Sequence, residues 1–215
     1  MSTCDPWTEK QMVSIIESER FNRAAGARNR ALFALQCSTG ARVSEVLGLT
    51  RSDVIDDLGR IKKRISFTNT KNGETRHVDL INPFAVPFLR VWLKEIEALG
   101  YLTKKSPVFP GLPGRAITRD WWRKIIQRTC NDLKFEGNFG THSCRKTWAR
   151  DTYKYYHKRA MSGELVDPLL KLQEAGGWKT IDAARRYIAF MLGDTSASQE
   201  SLYPELQNYV EKMGI

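Results

Sequence analysis

Between Ala31 and Leu35 the chain reads A-L-F-A-L, apolar on every side of a helical wheel. A helix with no polar face has to be enclosed by other elements. The stretch "RNRALFALQC", ending near Gly40, is therefore expected at the centre of a helical body. Its neighbours are amphipathic. "WTEKQMVSII" opens on a Thr8–Gln11 capping box, lets Trp7 staple onto Met12, and gathers Met12, Ile15 and Ile16 on one face. A short helix in "ARVSEVLGL" turns Val43, Val46 and Leu47 inward. "NPFAVPFLRVWLKEIEAL" is helical from about Phe84, and more helices are expected over about 119–133, 142–156, 165–175 and 181–191.

One segment has a different period. In "RIKKRISFTNTKNGETRHVDL" Ile65 and Phe67 alternate, as do Val78 and Leu80, and the Asn72-Gly73 pair between them is a strong turn signal. The pattern predicts a β-hairpin, to which a short strand near Val54–Ile55 adds. "SPVFPGLPGRAIT", with three prolines and two glycines, is a loop. "GDTSASQES" then interrupts the pattern before a last short helix in "LYPELQNYVEKM", with Pro204 in its first turn. The expected fold is α+β and mainly α. A helical domain with a small antiparallel sheet spans residues 1–194, and a tail, 195–215, carries the short helix. No internal repeat or low-complexity tract is present.

With 215 residues, 41% hydrophobic and 27% charged, the chain has the size and composition of a soluble globular domain. It has no apolar run of the roughly 20 residues a membrane helix needs. "MSTCDPWTEKQM" has no apolar core of a signal peptide, so a cytoplasmic location is expected. Cys4, Cys37, Cys130 and Cys144 form no C-x-x-C pair and the three histidines are scattered, which predicts free thiols and no structural zinc. Thirty-four Lys and Arg against 24 Asp and Glu leave a net charge of +10. A domain this basic usually meets a polyanion. Nucleic acid comes first; no basic amphipathic stretch with a clean apolar face supports a membrane surface.

Several chemistries are absent from the pattern. There is no G-x-x-x-x-G-K-[ST], no H-E-x-x-H, and no run of carboxylates suited to two-metal catalysis. Four stretches remain. In "TGARVSEVLGL", Arg42 and Glu45 stand at i, i+3, the spacing of an ordinary surface ion pair or of an arginine fork held ready for a phosphate. In "THSCRKTWARD", Thr141 can cap a helix whose first turn carries His142 and Arg145, again at i, i+3, so that dipole, imidazole and guanidinium converge on one anion. The plain alternative is a solvated helix start. Lys71 sits beside the hairpin turn, either as a surface lysine or as a mobile proton donor. "GWKTIDAARRYIAF" places Tyr187 nine residues after Trp178 and directly behind Arg185 and Arg186. Alone, that phenol reads as a half-buried core aromatic.

Taken in order, "TGARVSEVLGL", a hairpin lysine, H-x-x-R, G-W and a tyrosine nine residues later resemble the tyrosine recombinase (phage integrase) family from about Trp7 to Phe190. The resemblance implies a recombinase catalytic domain and a site-specific DNA recombinase of integrase, excision or invertase type. In that scheme Tyr187 is the nucleophile that forms a 3′-phosphotyrosine. Arg42 and Arg145 clamp the nonbridging phosphate oxygens, Trp178 positions the phosphate, His142 is a nearby base for the Tyr187 proton, Lys71 protonates the leaving 5′ oxygen, and Glu45 supports the site. The family carries histidine or, in some members, tryptophan where Trp178 stands. The scheme calls for no cofactor and no metal. Its expected partners are double-stranded DNA, a homo-oligomer (a tetramer on DNA) and DNA-bending accessory factors, in a nucleoid-associated setting. A DNA-binding protein of the same fold that no longer cuts, and a topoisomerase-IB-like nicking-closing enzyme, are the alternatives. Family members usually carry a DNA-binding domain ahead of the catalytic one, whereas here the pattern begins almost at Met1. A fragment of a longer recombinase and a short one resembling the fimbrial-switch invertases both fit. The distance from His142 to Trp178 exceeds the family's usual spacing, with the extra residues in "YKYYHKRAMSGELVD".

Overall fold

The structure is a computed structural model, and it describes residues 4–23, 25–68, 75–80, 84–111 and 117–192. Lys71, the Asn72-Gly73 turn and the tail 195–215 lie outside the described residues. The helices are α1 (Glu9–Glu17), α2 (Glu19–Asn22), α3 (Gly26–Thr39), α4 (Val43–Leu47), α5 (Arg51–Val54), α6 (Ala85–Ala98), α7 (Arg119–Asp132), α8 (Thr141–Met161), α9 (Pro168–Gly176) and α10 (Ile181–Leu192). Two strands, β1 (Arg64–Phe67) and β2 (Arg76–Asp79), pair antiparallel. No helix among the described residues is long and apolar enough to cross a membrane.

The centre is α3. Twelve of its fourteen residues are buried, and α6 and α8 pack against it. Two of its enclosed polar side chains are paired inside the protein: the Trp122 indole N–H donates to Gln36 Oε1 at 2.5 Å, and Thr39 Oγ1 donates back to the Leu35 carbonyl at 2.7 Å. Helix α6 turns Ala85, Leu89, Trp92, Leu93 and Ile96 inward, the spacing of one helical face. Helix α1 begins at the Thr8–Gln11 capping box, with both reciprocal hydrogen bonds present. Trp7 is fully buried and stacks on Phe139 with ring centres 4.5 Å apart. Its backbone is bound to α8 twice: its N–H donates to Thr147 Oγ1 at 2.7 Å, and its carbonyl accepts from Arg150 Nη1 at 2.7 Å.

The sheet is smaller than the sequence suggests. Val54 closes the short helix α5, because Asp53 accepts from the Thr50 backbone N–H at 2.8 Å and so caps a helical turn. Ile55 meets Ile61 in a single isolated bridge, and no third strand forms there. In the hairpin, Ile65 lies opposite Val78 and Phe67 opposite Arg76. All four are buried. The inward face of the hairpin therefore contains an arginine.

Two helix boundaries also differ. Helix α8 runs on to Met161, so the residues that lengthen the interval from His142 to Trp178 extend that helix before a turn leads to α9. Helix α9 starts at Pro168 rather than near Leu165. Asp167 caps it by accepting from the Leu169 and Leu170 N–H groups at 2.8 and 3.0 Å, and proline is well suited to the first helical position.

Trp7 joins the amino-terminal segment to the centre, so Trp7→Ala is expected to cost about 3–5 kcal/mol. That corresponds to a drop in melting temperature of about 10 °C for a chain of this size. A calorimetric scan showing no drop contradicts this account of the core.

Candidate active site

Two helices end close together. Helix α3 stops at Gly40, whose left-handed backbone (φ 59°) suits glycine, and a Cβ there would lie 2.3 Å from the Trp148 ring. Helix α9 stops at Gly177, also left-handed (φ 61°). The last carbonyls of both helices lack intrahelical donors and carry the negative ends of the helix dipoles. Two buried arginines satisfy them. Arg145, on α8 and 1% exposed, donates Nη1 to the Gly40 carbonyl at 2.6 Å and Nη2 to the Gly176 carbonyl at 2.7 Å. Arg76, on β2, donates Nη1 to the Ala175 carbonyl at 2.9 Å and to the Thr39 carbonyl at 3.3 Å.

Glu45 completes the cluster. Its Oε1 accepts from Arg42 Nη1 at 2.8 Å, while its Oε2 accepts from the Arg42 backbone N–H at 2.8 Å and from Arg76 Nη2 at 3.0 Å. Burial works against the carboxylate, but the charge of Arg76 and the donors of Arg42 outweigh it and hold its pKa below the ordinary value. Arg42 is not in the helix with Glu45. It is the residue preceding α4, in extended conformation, and a third of its side chain stays exposed. Two guanidinium groups thus share one carboxylate, and the charge of Glu45 is also felt at Arg145. Burial, and then the neighbouring charge of Arg76, push the Arg145 pKa down to about 10, which leaves it charged at neutral pH.

The aromatic side of the site lies against Arg145. Its guanidinium carbon sits 4.5 Å from the centre of the Trp178 ring and 5.4 Å from that of Tyr187. Those two rings are 4.7 Å apart and tilted by 40°. Tyr187 is half-buried on α10, between the buried Ala184 and Ile188. His142 is exposed at the start of α8. Loss of hydration against the protein, then the charges of Arg145 and Arg42, lower its pKa from 6.5. A cleft of about 420 Å³, lined in part by Arg42, Glu45, Arg76, Gly176 and Gly177, opens beside the cluster.

Arg42, Glu45, Arg145, Trp178 and Tyr187 are therefore brought together, and His142 lies within electrostatic reach of two of them. Lys71 lies outside the described residues. Arg185 and Arg186 are exposed, and Arg185 lies 3.7 Å from Asp182. Thr141 does not cap α8. The helix is preceded by Gly140, whose N–H donates to Ser143 Oγ at 3.1 Å. The site residue that sequence reasoning missed is Arg76. The alternation of Arg76, Val78 and Leu80 was the available signal, since it puts the arginine on the inward face. Such an arrangement can hold an anion beside a phenol, with fixed positive charge on one side of it.

The chain matches the model of the Phage integrase family over residues 7–191. It is similar to the tyrosine recombinase XerC of Chlamydia muridarum (strain MoPn / Nigg), with 23% identity over 207 residues, 96% of this chain and 56% of that protein. Among solved structures it resembles the XerH site-specific recombinase bound to palindromic difH substrate in a post-cleavage complex, with TM-score 0.63 and 26% identity. That match covers 85% of this chain and 48% of XerH. The fold is also that of XerA recombinase, with TM-score 0.64 and 19% identity over 92% of this chain and 66% of that one. The chain spans about half the length of the curated relatives it matches.

Two outcomes follow from the packing. A Cβ on Gly176 would lie 1.9 Å from the Trp178 ring, so Gly176→Ala should displace Trp178 and with it the ring contact to Tyr187. The near-ultraviolet circular dichroism should change while the helical far-ultraviolet signal stays. The His142 imidazole should titrate below pH 6.5 by NMR, and Arg42→Ala should move its midpoint upward. A midpoint at or above 6.5 contradicts the assignment. Because the folded-state value is the lower one, His142 contributes stability that is lost as pH falls from 6.5 through that value.

Proposed function

The chain belongs to the phage integrase family, and on that premise we propose that it is a site-specific DNA recombinase working through a 3′-phosphotyrosine on Tyr187. The observation that carries this reading is the packing of the Tyr187 ring against Trp178 and Arg145, in a cluster where Arg42 and Arg76 bond one carboxylate. The basic surplus of the chain and the DNA-bound state of the XerH relative support double-stranded DNA as the partner.

In the proposed reaction the Tyr187 oxygen attacks phosphorus, the P–O5′ bond breaks, and the 5′ oxygen leaves as a hydroxyl. The new phosphoester retains the bond energy, so a second 5′-hydroxyl can attack it, release the phenol and seal a strand without a nucleotide cofactor. A free phenol has a pKa of about 10 and must lose its proton as it attacks. His142, held neutral near pH 7, is the available base. Arg42, partly exposed, meets a non-bridging phosphate oxygen first. Arg145, buried against the Trp178 and Tyr187 rings, adds charge from beneath. Each Arg145 Nη keeps a second hydrogen beyond its carbonyl bond. Trp178 supplies an N–H and a flat wall but accepts no proton. Lys71 is assigned the protonation of the 5′ oxygen. Residues 195–215, with the apolar Leu202, Leu206 and Val210, are assigned to packing on a neighbouring protomer of a tetramer.

Duplexes from the DNA flanking the gene, nicked so that the cleaved strand diffuses away, test the reading. The wild-type protein should form a covalent adduct that denaturing gels resolve, and Tyr187→Phe should form none. An absence of adduct from the wild type leaves the non-cutting DNA-binding protein as the correct description. Exchange of strands between two sites separates a recombinase from a nicking-closing enzyme.

A further inference from the structure

We propose that Arg76 is a positioning residue for strand transfer: it keeps Glu45 in place to orient Arg42 and ties that pair to the helix ends that hold Arg145. The proposal rests on the recombinase reading of the site. Arg76 stands at a strand position whose inward neighbours, Ile65, Phe67 and Val78, are apolar. A hairpin needs no charge there, and stripping a guanidinium of water is costly unless partners replace it. Both terminal nitrogens of Arg76 have those partners, and all belong to the site, while its buried Nε has none among the described residues. Its Nη2 bonds the Glu45 oxygen that also takes the Arg42 backbone N–H. Its Nη1 bonds the two carbonyls, Thr39 and Ala175, that directly precede the pair bound by Arg145. Its guanidinium carbon lies 4.8 Å from the Phe67 ring centre, and a Cβ on Gly177 would press on its Cδ at 2.8 Å. The side chain is thus fixed from strand, ring and helix end at once.

The charged groups around Glu45 are Arg42 beside it, Arg76 from β2 and Arg145 from α8. With Arg76 gone, burial favours the protonated carboxyl, and a neutral Glu45 holds the Arg42 fork less firmly. Loss of Arg76 should therefore slow the chemical step and make it pH-dependent, without removing a phosphate contact.

The test uses the whole chain with Arg76→Met, Arg76→Lys, Glu45→Gln and the Met/Gln double variant. Single-turnover adduct formation on the nicked duplex is followed between about pH 5.5 and 8.5. Arg76→Met should slow adduct formation about 100-fold at neutral pH, as a displaced reacting group does. DNA affinity should be unchanged. Its rate should climb with pH more steeply than that of the wild type, and the added Glu45→Gln should remove that extra slope. Arg76→Lys should recover part of the rate. A rate and pH profile equal to wild type overturns the proposal. So does a joint loss of rate and DNA affinity that lysine does not relieve, which marks a merely structural residue. A wild type that forms no adduct overturns the recombinase reading and the proposal together, whereas an active wild type with indifferent variants overturns the proposal alone. Melting temperatures give a readout apart from chemistry. Glu45→Gln should lower the melting temperature more in the wild type than in Arg76→Met. Equal drops show independent side chains and overturn the coupling. If Arg76→Met does not fold, Arg76→Lys, which keeps the charge but lacks the three-way fork, carries the same comparisons.

Discussion

Four carbonyl oxygens at the ends of α3 and α9 need donors in a place with little water. Arg145 and Arg76 supply them, each taking one or more from both helices. Buried backbone acceptors are rarely left unpaired. A lysine, with a point charge and no planar fork, does not span two helix ends in the same way. The bonds that join these helices also concentrate positive charge next to Tyr187. Architecture and electrostatics are here one interaction, and the single carboxylate of Glu45 offsets only part of the charge.

Much of the helical body was legible in the sequence because it depends on local pattern. The all-apolar turn from Ala31 to Leu35 did become the enclosed core of α3, Thr8 and Gln11 did form their capping box, and the Arg42–Glu45 contact is present. Where two local signals competed, the pattern misled. Val54 and Ile55 look like a strand, but Thr50-x-x-Asp53 just before them is also a helix start, and capping prevailed. The length of α8 was illegible for a similar reason: "YKYYHKRAM" has no breaker, and its polarity does not separate a helix from a loop.

Arg76 escaped because its partners are backbone oxygens. A carbonyl carries no residue signature, and Ala175 is 99 residues away. The same holds for Arg145, which the H-x-x-R spacing identifies while saying nothing of the carbonyls it binds. The i, i+3 spacing also predicted a shared face for His142 and Arg145. Only His142 is at the surface, since the ends of α3 and α9 close over its partner. The glycines mark this closeness: Gly40 lies against Trp148, Gly176 against Trp178 and Gly177 against Arg76.

The sequence distances in the cluster have a bearing on synthesis. Arg145 reaches back 105 residues to Gly40 and forward 31 to Gly176, while Trp7 is tied to Thr147 across 140. Contacts of such separation require long loops to close before they return any energy, so they form late. On the ribosome, Arg42, Glu45 and Arg76 emerge long before α9 does. The growing chain carries those charges with the Ala175 acceptor of Arg76 still unmade, and the pocket closes only after Gly176 and Tyr187 have emerged. A chain that stops short of α9 thus keeps its guanidinium groups but lacks the Ala175 and Gly176 carbonyls that fix Arg76 and Arg145, and the Trp178 and Tyr187 rings that wall them in.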